Sequence, residues 1–224
     1  MTLNHKINAK VAIIIPAFNE SGTIEEVVSS ALELGDVVVV NDCSEDTTKK
    51  LVQQTKATLI DNDVNMGYEK SIVSGLNYVL DKPYVFAITI DADGQHIIED
   101  VKKAINFLEK GADVVVGSRL KLPRTAEKIV SLLGKLFYGI NDPFCGLKGY
   151  RLDLLRSRNL FSFPSIASEL LVRIVKGGGN WNQFEIKTNP REFGKSTFDN
   201  RSFFTSIHFV KSFLRVIFCA KKIN

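Results

Sequence analysis

Three unbroken apolar runs constrain what this chain can fold into more than any other feature. They are residues 11–15 (VAIII), 37–40 (VVVV) and 84–88 (YVFAI). Each has strand length, and none alternates apolar with polar, so each reads as a strand covered on both faces. Such strands belong to parallel sheets sandwiched by helices. The segments between them have helical spacing. Residues 21–34 place Ile24, Val27, Val28, Ala31 and Leu32 on one face, with Ser21 as N-cap and Gly35 as stop. Ser44 is positioned to cap a helix running to residue 55, with Glu45 and Asp46 in its first turn. A short strand at 57–60 and helices at 68–80 and 97–110 follow. A strand at 113–116 is closed by Gly117. Strands alternating with helices predict an α/β fold with a mostly parallel sheet and helices on both faces.

The second half is less regular. Residues 125–138 read as an amphipathic helix, 141–150 as turn-rich, 166–175 as a helix ended by Gly177-Gly178-Gly179, and 183–187 as a strand. The 224 residues suit one domain, or one domain with a small appendage. A net charge of +4 argues against a dedicated nucleic-acid binder. Cys43, Cys145 and Cys219 show neither metal spacing nor a disulfide framework, which suggests a reducing, cytoplasmic compartment. No signal-peptide pattern is expected near the N-terminus, and no run of about 18 apolar residues predicts a spanning helix.

Ligands of parallel sheets bind beyond the carboxyl ends of the strands, and polar residues gather there. Pro16-Ala17-Phe18-Asn19-Glu20 follows the first strand and Asn41-Asp42-Cys43-Ser44 the second. Asp91-Ala92-Asp93-Gly94-Gln95-His96 follows the run at 84–88. Two carboxylates one residue apart suit Mg²⁺ or Mn²⁺ shared with a substrate phosphate. The same letters also describe a solvated Asp-Gly turn. Gly117-Ser118-Arg119, Asp142-Pro143-Phe144-Cys145-Gly146 and Arg191-Glu192-Phe193-Gly194-Lys195-Ser196-Thr197 complete the series.

Together, in this order, these motifs over residues 10–198 resemble the family 2 glycosyltransferases of GT-A (Rossmann-like) fold, in their dolichyl-phosphate mannose or glucose synthase branch. The resemblance implies a glycosyltransferase domain at residues 1–200 and an appended helix at 201–224. It implies a nucleotide-sugar site of GDP-mannose or UDP-glucose type built from Pro16, Phe18, Glu20, Asp42, Asp91, Ala92, Asp93, Arg191 and Lys195. Metal ligation, by Mg²⁺ or Mn²⁺, falls to Asp91, Asp93 and Gln95. Arg119 and Arg124 are expected to hold the phosphate of a polyprenyl or dolichyl phosphate acceptor, since a guanidinium fork matches phosphate geometry. Asp93, Arg119 and Glu169 are the expected catalytic residues. Glu169 acts as a base for a hydroxyl acceptor and as a positioning group for a phosphate acceptor. His96 is expected only to start a helix. Glu69 stands where many members carry a second glycine, and Phe18 where tyrosine is commoner.

The implied reaction is inverting hexose transfer at the cytosolic face of a membrane. A sugar or protein hydroxyl acceptor, and a nucleotide-binding protein without catalysis, are the competing readings. A sugar nucleotidyltransferase is disfavoured because residues 16–20 lack a glycine-rich phosphate loop. In the last segment Phe203, Ile207, Val210, Leu214 and Ile217 share one helical face, and His208, Lys211, Arg215 and Lys222 another. Phe204, Phe209, Phe213 and Phe218 add aromatic bulk. This pattern predicts an amphipathic helix at a membrane interface or docked on the domain.

Overall fold

The first apolar run forms the central strand. The structure, a computed structural model, describes residues 10–122, 124–156, 166–189, 210–211 and 213–218. In chain order the elements are β1 (Val11–Ala17), α1 (Ile24–Leu32), β2 (Asp36–Asn41), α2 (Thr48–Gln53), β3 (Thr58–Asp61), α3 (Tyr68–Leu80) and β4 (Phe86–Thr89). Then come α4 (Ile98–Glu109), β5 (Val114–Arg119), α5 (Thr125–Tyr138), β6 (Lys148–Arg151), α6 (Leu152–Arg156), α7 (Ile166–Lys176) and β7 (Trp181–Ile186). The seven strands make one sheet in the order β3-β2-β1-β4-β6-β5-β7. All neighbours are parallel except β6, which is antiparallel to both β4 and β5.

Every residue of β1 is buried, as its lack of alternation predicts. Pro16 is tolerated in this central strand because the pairing with β4 ends at Ile14–Thr89, so no donor is required beyond it. On α3, a Cβ at Gly75 would overlap Ile14 Cγ2; glycine there lets α3 lie close on β1.

Helices α3 and α5 start and stop where the periodicity places them. Other expectations need correction. The helix after β1 begins at Ile24, with Thr23 rather than Ser21 at its cap. Thr23 instead donates its hydroxyl to Ala92 O at 2.7 Å. Helix α2 begins at Thr48, because the Ser44 hydroxyl is taken by Asn19 N at 3.0 Å. The turn-rich stretch contains β6, which its composition hides.

The C-terminal helix is also reassigned. Residues 210–211 and 213–218 are helical, and their apolar side is turned onto the body. Phe213, Val216 and Ile217 are buried. The Phe213 ring meets Phe144 edge-on at 5.9 Å. Ile217 O accepts hydrogen bonds from Tyr138 Oη at 3.1 Å and Lys176 Nζ at 2.6 Å. Of the apolar face read from the sequence, Ile217 is buried and Val210 and Leu214 pack partly buried against the core, whereas Phe203 and Ile207 lie outside the described residues. No helix among the described residues is long and apolar enough to cross a membrane.

Candidate active site

The carboxyl ends of β1, β2, β4 and β5 point to one edge of the sheet, together with the start of the antiparallel β6. That edge collects the polar groups. The loops after β1 and β2 are laced together: Asn19 Oδ1 accepts from Glu45 N at 2.8 Å, Ser21 N donates to Asp46 Oδ2 at 3.1 Å, and Glu20 N to Thr48 Oγ1 at 2.9 Å. Asn19 (φ 56°) and Cys43 (φ 62°) adopt left-handed backbone. Such strain persists only where the surroundings impose it, and it clusters at ligand clamps. Asp42 is buried and faces its own chain. It accepts from Asn62 Nδ2 (2.9 Å), Met66 N (2.9 Å) and Gly67 N (2.7 Å), and so clamps residues 62–67 onto this edge. Pro16 is buried in β1, and Phe18 and Glu20 are half-buried on its exit loop.

Asp91 is anchored by two side chains. Tyr68 Oη donates to its Oδ1 at 2.9 Å, and His96 Nε2 lies 3.1 Å from its Oδ2. Burial alone would raise the Asp91 pKa. The bonds and charge of His96, the Tyr68 hydroxyl and the Arg119 charge outweigh it and hold the carboxyl low. Burial and the Asp91 charge push the Tyr68 phenol well above its usual value, so it remains a donor. His96 is thus a buried partner of Asp91, with its side chain only 3% exposed, and not merely a helix-start residue. Asp91 also rests against glycine: a Cβ at Gly146 would overlap its carboxylate.

Asp93 Oδ1 accepts from Gln95 N at 3.1 Å. Gln95 Nε2 donates to Asn189 O (3.3 Å), and Asn189 N to Gln95 O (3.0 Å). The chain after β7 therefore pins the carboxylate loop. No three His, Cys, Asp or Glu side chains converge into a closed metal cage among the described residues. Two carboxylates and an amide oxygen on one loop instead suit a hard divalent cation that takes its other ligands from substrate phosphates.

Arg119, at the end of β5, is held in a fork. Its Nε and Nη2 donate to Asp142 Oδ2 and Oδ1 at 2.7 and 3.1 Å, and its Nη1 lies 3.5 Å from Glu127 Oε1. Burial opposes its charge, but Asp142 and Glu127 raise its pKa above the usual value. Arg124 Nη1 donates to the same Glu127 oxygen at 3.2 Å. Two arginines and two buried carboxylates thus form one network where α5 begins. Asp142 orients Arg119.

Three further groups escaped the sequence reading. Lys148, on β6 opposite Thr89, is fully buried and donates its Nζ to Cys145 O. Burial lowers its pKa, countered by Cys145, Glu69, Asp142 and Asp91. It is also the sole charged residue between positions 143 and 150, which was the available signal. Glu127 and Tyr68 were legible only as helix residues. Cys145 is inert, because burial pushes its thiol up to about 12.

Glu169, at the start of α7, is 98% buried by exposure, and neither carboxylate oxygen has a hydrogen-bond donor among the described residues. Arg173 Nη1 stands 3.5 Å away. Burial raises its pKa to about 7, with Glu69 adding to the shift and Arg173 opposing it. The neighbouring Ser168 donates to Pro143 O at 3.2 Å, so α7 abuts the 142–146 turn. Arg191 and Lys195 lie outside the described residues.

Residues 12–145 match the sequence model of the family described as Glycosyl transferase family 2. A UDP-N-acetylglucosamine–dolichyl-phosphate N-acetylglucosaminyltransferase of Methanococcus voltae is 27% identical over 218 residues, 82% of this chain and 87% of that one. A polyprenol monophosphomannose synthase of Mycolicibacterium smegmatis is 25% identical over 214 residues, 84% and 80% of the two chains. Glucosyl-3-phosphoglycerate synthase of Mycobacterium tuberculosis, solved with Mn²⁺, uridine diphosphate and phosphoglyceric acid, superposes with a TM-score of 0.74. It is 17% identical, and the match covers 94% of this chain and 78% of that one. That likeness shows the GT-A architecture.

Proposed function

The chain belongs to glycosyl transferase family 2, and from that premise we propose that it transfers a hexose from a nucleoside diphosphate sugar to a polyprenyl phosphate at the cytosolic face of a membrane. The observation that carries this reading is one sheet edge bearing two complementary sites: the carboxylates Asp91 and Asp93 after β4, suited to a divalent cation, and the arginine network after β5, suited to an anion. The relatives named above act on dolichyl or polyprenol phosphates, which supports the same acceptor class here.

The donor diphosphate sits at Asp91, Asp93 and Gln95, with Pro16, Phe18, Glu20, Asp42, Ala92, Arg191 and Lys195 as the remaining nucleotide-sugar residues. Asp91, Asp93 and Gln95 would hold Mg²⁺ or Mn²⁺, which would supply Lewis-acid neutralisation of charge on the departing diphosphate. Tyr68 and His96 hold Asp91 ionised and oriented for that role. Arg119 and Arg124 orient the acceptor phosphate. One of its oxygens attacks the anomeric carbon from the face opposite the diphosphate. The anomeric C–O bond to the diphosphate breaks, its electron pair leaves with the nucleoside diphosphate, and configuration inverts. Positive charge grows at the anomeric carbon. The phosphate nucleophile is already an anion, so catalysis rests on positioning and electrostatics.

A second reading has its own observation. A buried carboxylate with a pKa near 7, as Glu169 has, is suited to deprotonate a hydroxyl acceptor. The test offers nucleotide sugars with Mg²⁺ or Mn²⁺ and a polyprenyl phosphate, and identifies the lipid product by mass. Asp93→Ala is expected to abolish transfer with the fold intact. Arg119→Ala should lose lipid transfer yet retain slow donor hydrolysis. If polyprenyl phosphate gives no product while a hydroxyl acceptor does, and Glu169→Gln abolishes that, the hydroxyl reading replaces the first.

A further inference from the structure

Two consecutive carbonyls of the 142–146 turn are each held by a buried side chain. Lys148 Nζ donates to Cys145 O, and Thr89 Oγ1 donates to Gly146 O at 2.7 Å. The amine and the hydroxyl come from different strands. Thr89 on β4 is the register partner of Lys148 on β6, so the two side chains share one face of the sheet. Thr89 is 1% exposed, Lys148 2%, and Cys145 is fully buried. Taking an amine into a core costs free energy that an apolar side chain of similar size would not. Lysine at 148 therefore calls for a reason beyond filling space. The turn supplies one. At its end, Gly146 lies so close to Asp91 that a Cβ would overlap the carboxylate. At its start, Asp142 grips the Arg119 guanidinium through both carboxylate oxygens. Cys145 N donates to Asp142 O at 3.2 Å and closes the turn on itself. Gly117 N donates to Leu147 O at 2.9 Å and ties the exit of the turn to the strand that ends in Arg119.

We propose that Lys148 is a positioning residue for the transfer reaction: with Thr89 it makes the 142–146 turn a rigid strut that fixes the Asp91 carboxylate and the Arg119 guanidinium relative to each other. This role rests on the reading above of Asp91 as the diphosphate-side group and Arg119 as the acceptor-side group. Lys148 acts through the turn and not on the substrate. Asp91 and Asp142 both bear on it electrostatically, which puts the amine within reach of the two ends it serves. Ser168 adds a third grip from α7, donating to Pro143 O at 3.2 Å.

The reaction gives such a strut its purpose. Nucleophile and leaving group must lie in line across the anomeric carbon, and a misplacement of about 1 Å costs roughly 100-fold in rate. The two groups hang on different strands, β4 and β5, which are separated in the sheet by β6. The turn that leads into β6 bridges them. Packed interiors transmit small shifts and do not absorb them. Releasing Cys145 O therefore disturbs both ends, the seat of Asp91 and the anchor of Arg119.

The test compares Lys148→Met, which keeps most of the side chain but removes its N–H groups, with Lys148→Arg, which retains them. Thr89→Val and Thr89→Ser form the matching pair on β4, and they decide the matter if Lys148→Met does not fold. The Arg119 end is read without any ligand, from the NMR shift of its Nε–H proton, displaced in the parent by the 2.7 Å bond to Asp142. In Lys148→Met and Thr89→Val this signal should move toward that of free arginine; in Thr89→Ser it should stay with the parent. The Asp91 end is read as Mn²⁺ affinity in the presence of uridine or guanosine diphosphate, expected to fall about tenfold in the same two variants. At saturating Mn²⁺, kcat per folded molecule with polyprenyl phosphate should fall about tenfold or more, with KM little changed. Lys148→Arg and Thr89→Ser should recover most of both losses. An Arg119 signal at the parent position in both Lys148→Met and Thr89→Val overturns the strut. So does a loss of activity that the folded fraction, from urea denaturation, fully accounts for. A displaced Arg119 signal alongside a parent that transfers no sugar to polyprenyl phosphate sustains the strut and overturns the acceptor reading instead.

Discussion

At the scale of single residues, the site depends on one missing methyl group and one misplaced proton. Gly146 has no room for a Cβ because Asp91 occupies that space, and the Asp91 carboxylate is itself fixed by Tyr68 and His96. Gly146→Ala must displace the Asp91 carboxylate. Its expected effect is a loss of kcat of roughly 100-fold, the scale of a 1 Å misplacement, with thermal stability less affected. Parent-like kcat would show that Asp91 moves without consequence. Glu169 acts through its proton. Its folded pKa of about 7 lies above its ordinary 4.5, so the folded chain binds more protons than the unfolded chain between those values. Stability from this group falls as pH rises through that window, by up to about 3 kcal/mol. Glu169→Gln should therefore stabilise the protein at pH 8 and leave it nearly unchanged at pH 4, as read by urea denaturation. Parallel pH profiles for the two proteins would refute the assignment. The acids were visible in the sequence, but their partners were not. Tyr68 lies 23 positions before Asp91, and Lys148 is on a strand that composition conceals. Convergence of side chains is a product of topology, not of local pattern.

At the scale of elements, the clearest segments were those whose burial is uniform or strictly periodic. Strands β1 and β2 are apolar at nearly every position, and α3 and α5 repeat at helical spacing, so local sequence sufficed. Strand β6 was hidden because it is four residues long, carries Gly149 and Lys148, and owes its existence to β4 and β5 on either side. The C-terminal helix illustrates another limit. An apolar stripe is equally suited to lipid and to protein, and only the packing of Phe213 on Phe144 reveals which was chosen. Phe144 belongs to the turn that carries Asp142, and Asp142 orients Arg119. Phe213→Ala should therefore do two things: destabilise the fold by about 3–5 kcal/mol, and lower activity below what the folded fraction explains. Chemical denaturation and kcat per folded molecule separate the two. An unchanged kcat per folded molecule would confine the helix to a stabilising role.

At the scale of the whole molecule, the sheet order β3-β2-β1-β4-β6-β5-β7 does not follow chain order. Strands β1 to β4 pair among themselves, whereas β5 and β7 reach them only through β6. The first half can thus close on its own, and the second half waits for one short antiparallel strand. Closing such long-range pairings slows folding. Pulsed hydrogen exchange during refolding should show β1 and β2 amides protected before those of β5 and β7. Simultaneous protection across the sheet would overturn this order. The cost of this arrangement falls on β4. Until β6 arrives, the Phe86–Thr89 strand, buried at every position in the finished fold, is a bare sheet edge. A bare apolar edge pairs readily with another chain. Crowded refolding should therefore yield aggregates seeded at β4, and dilution should rescue them.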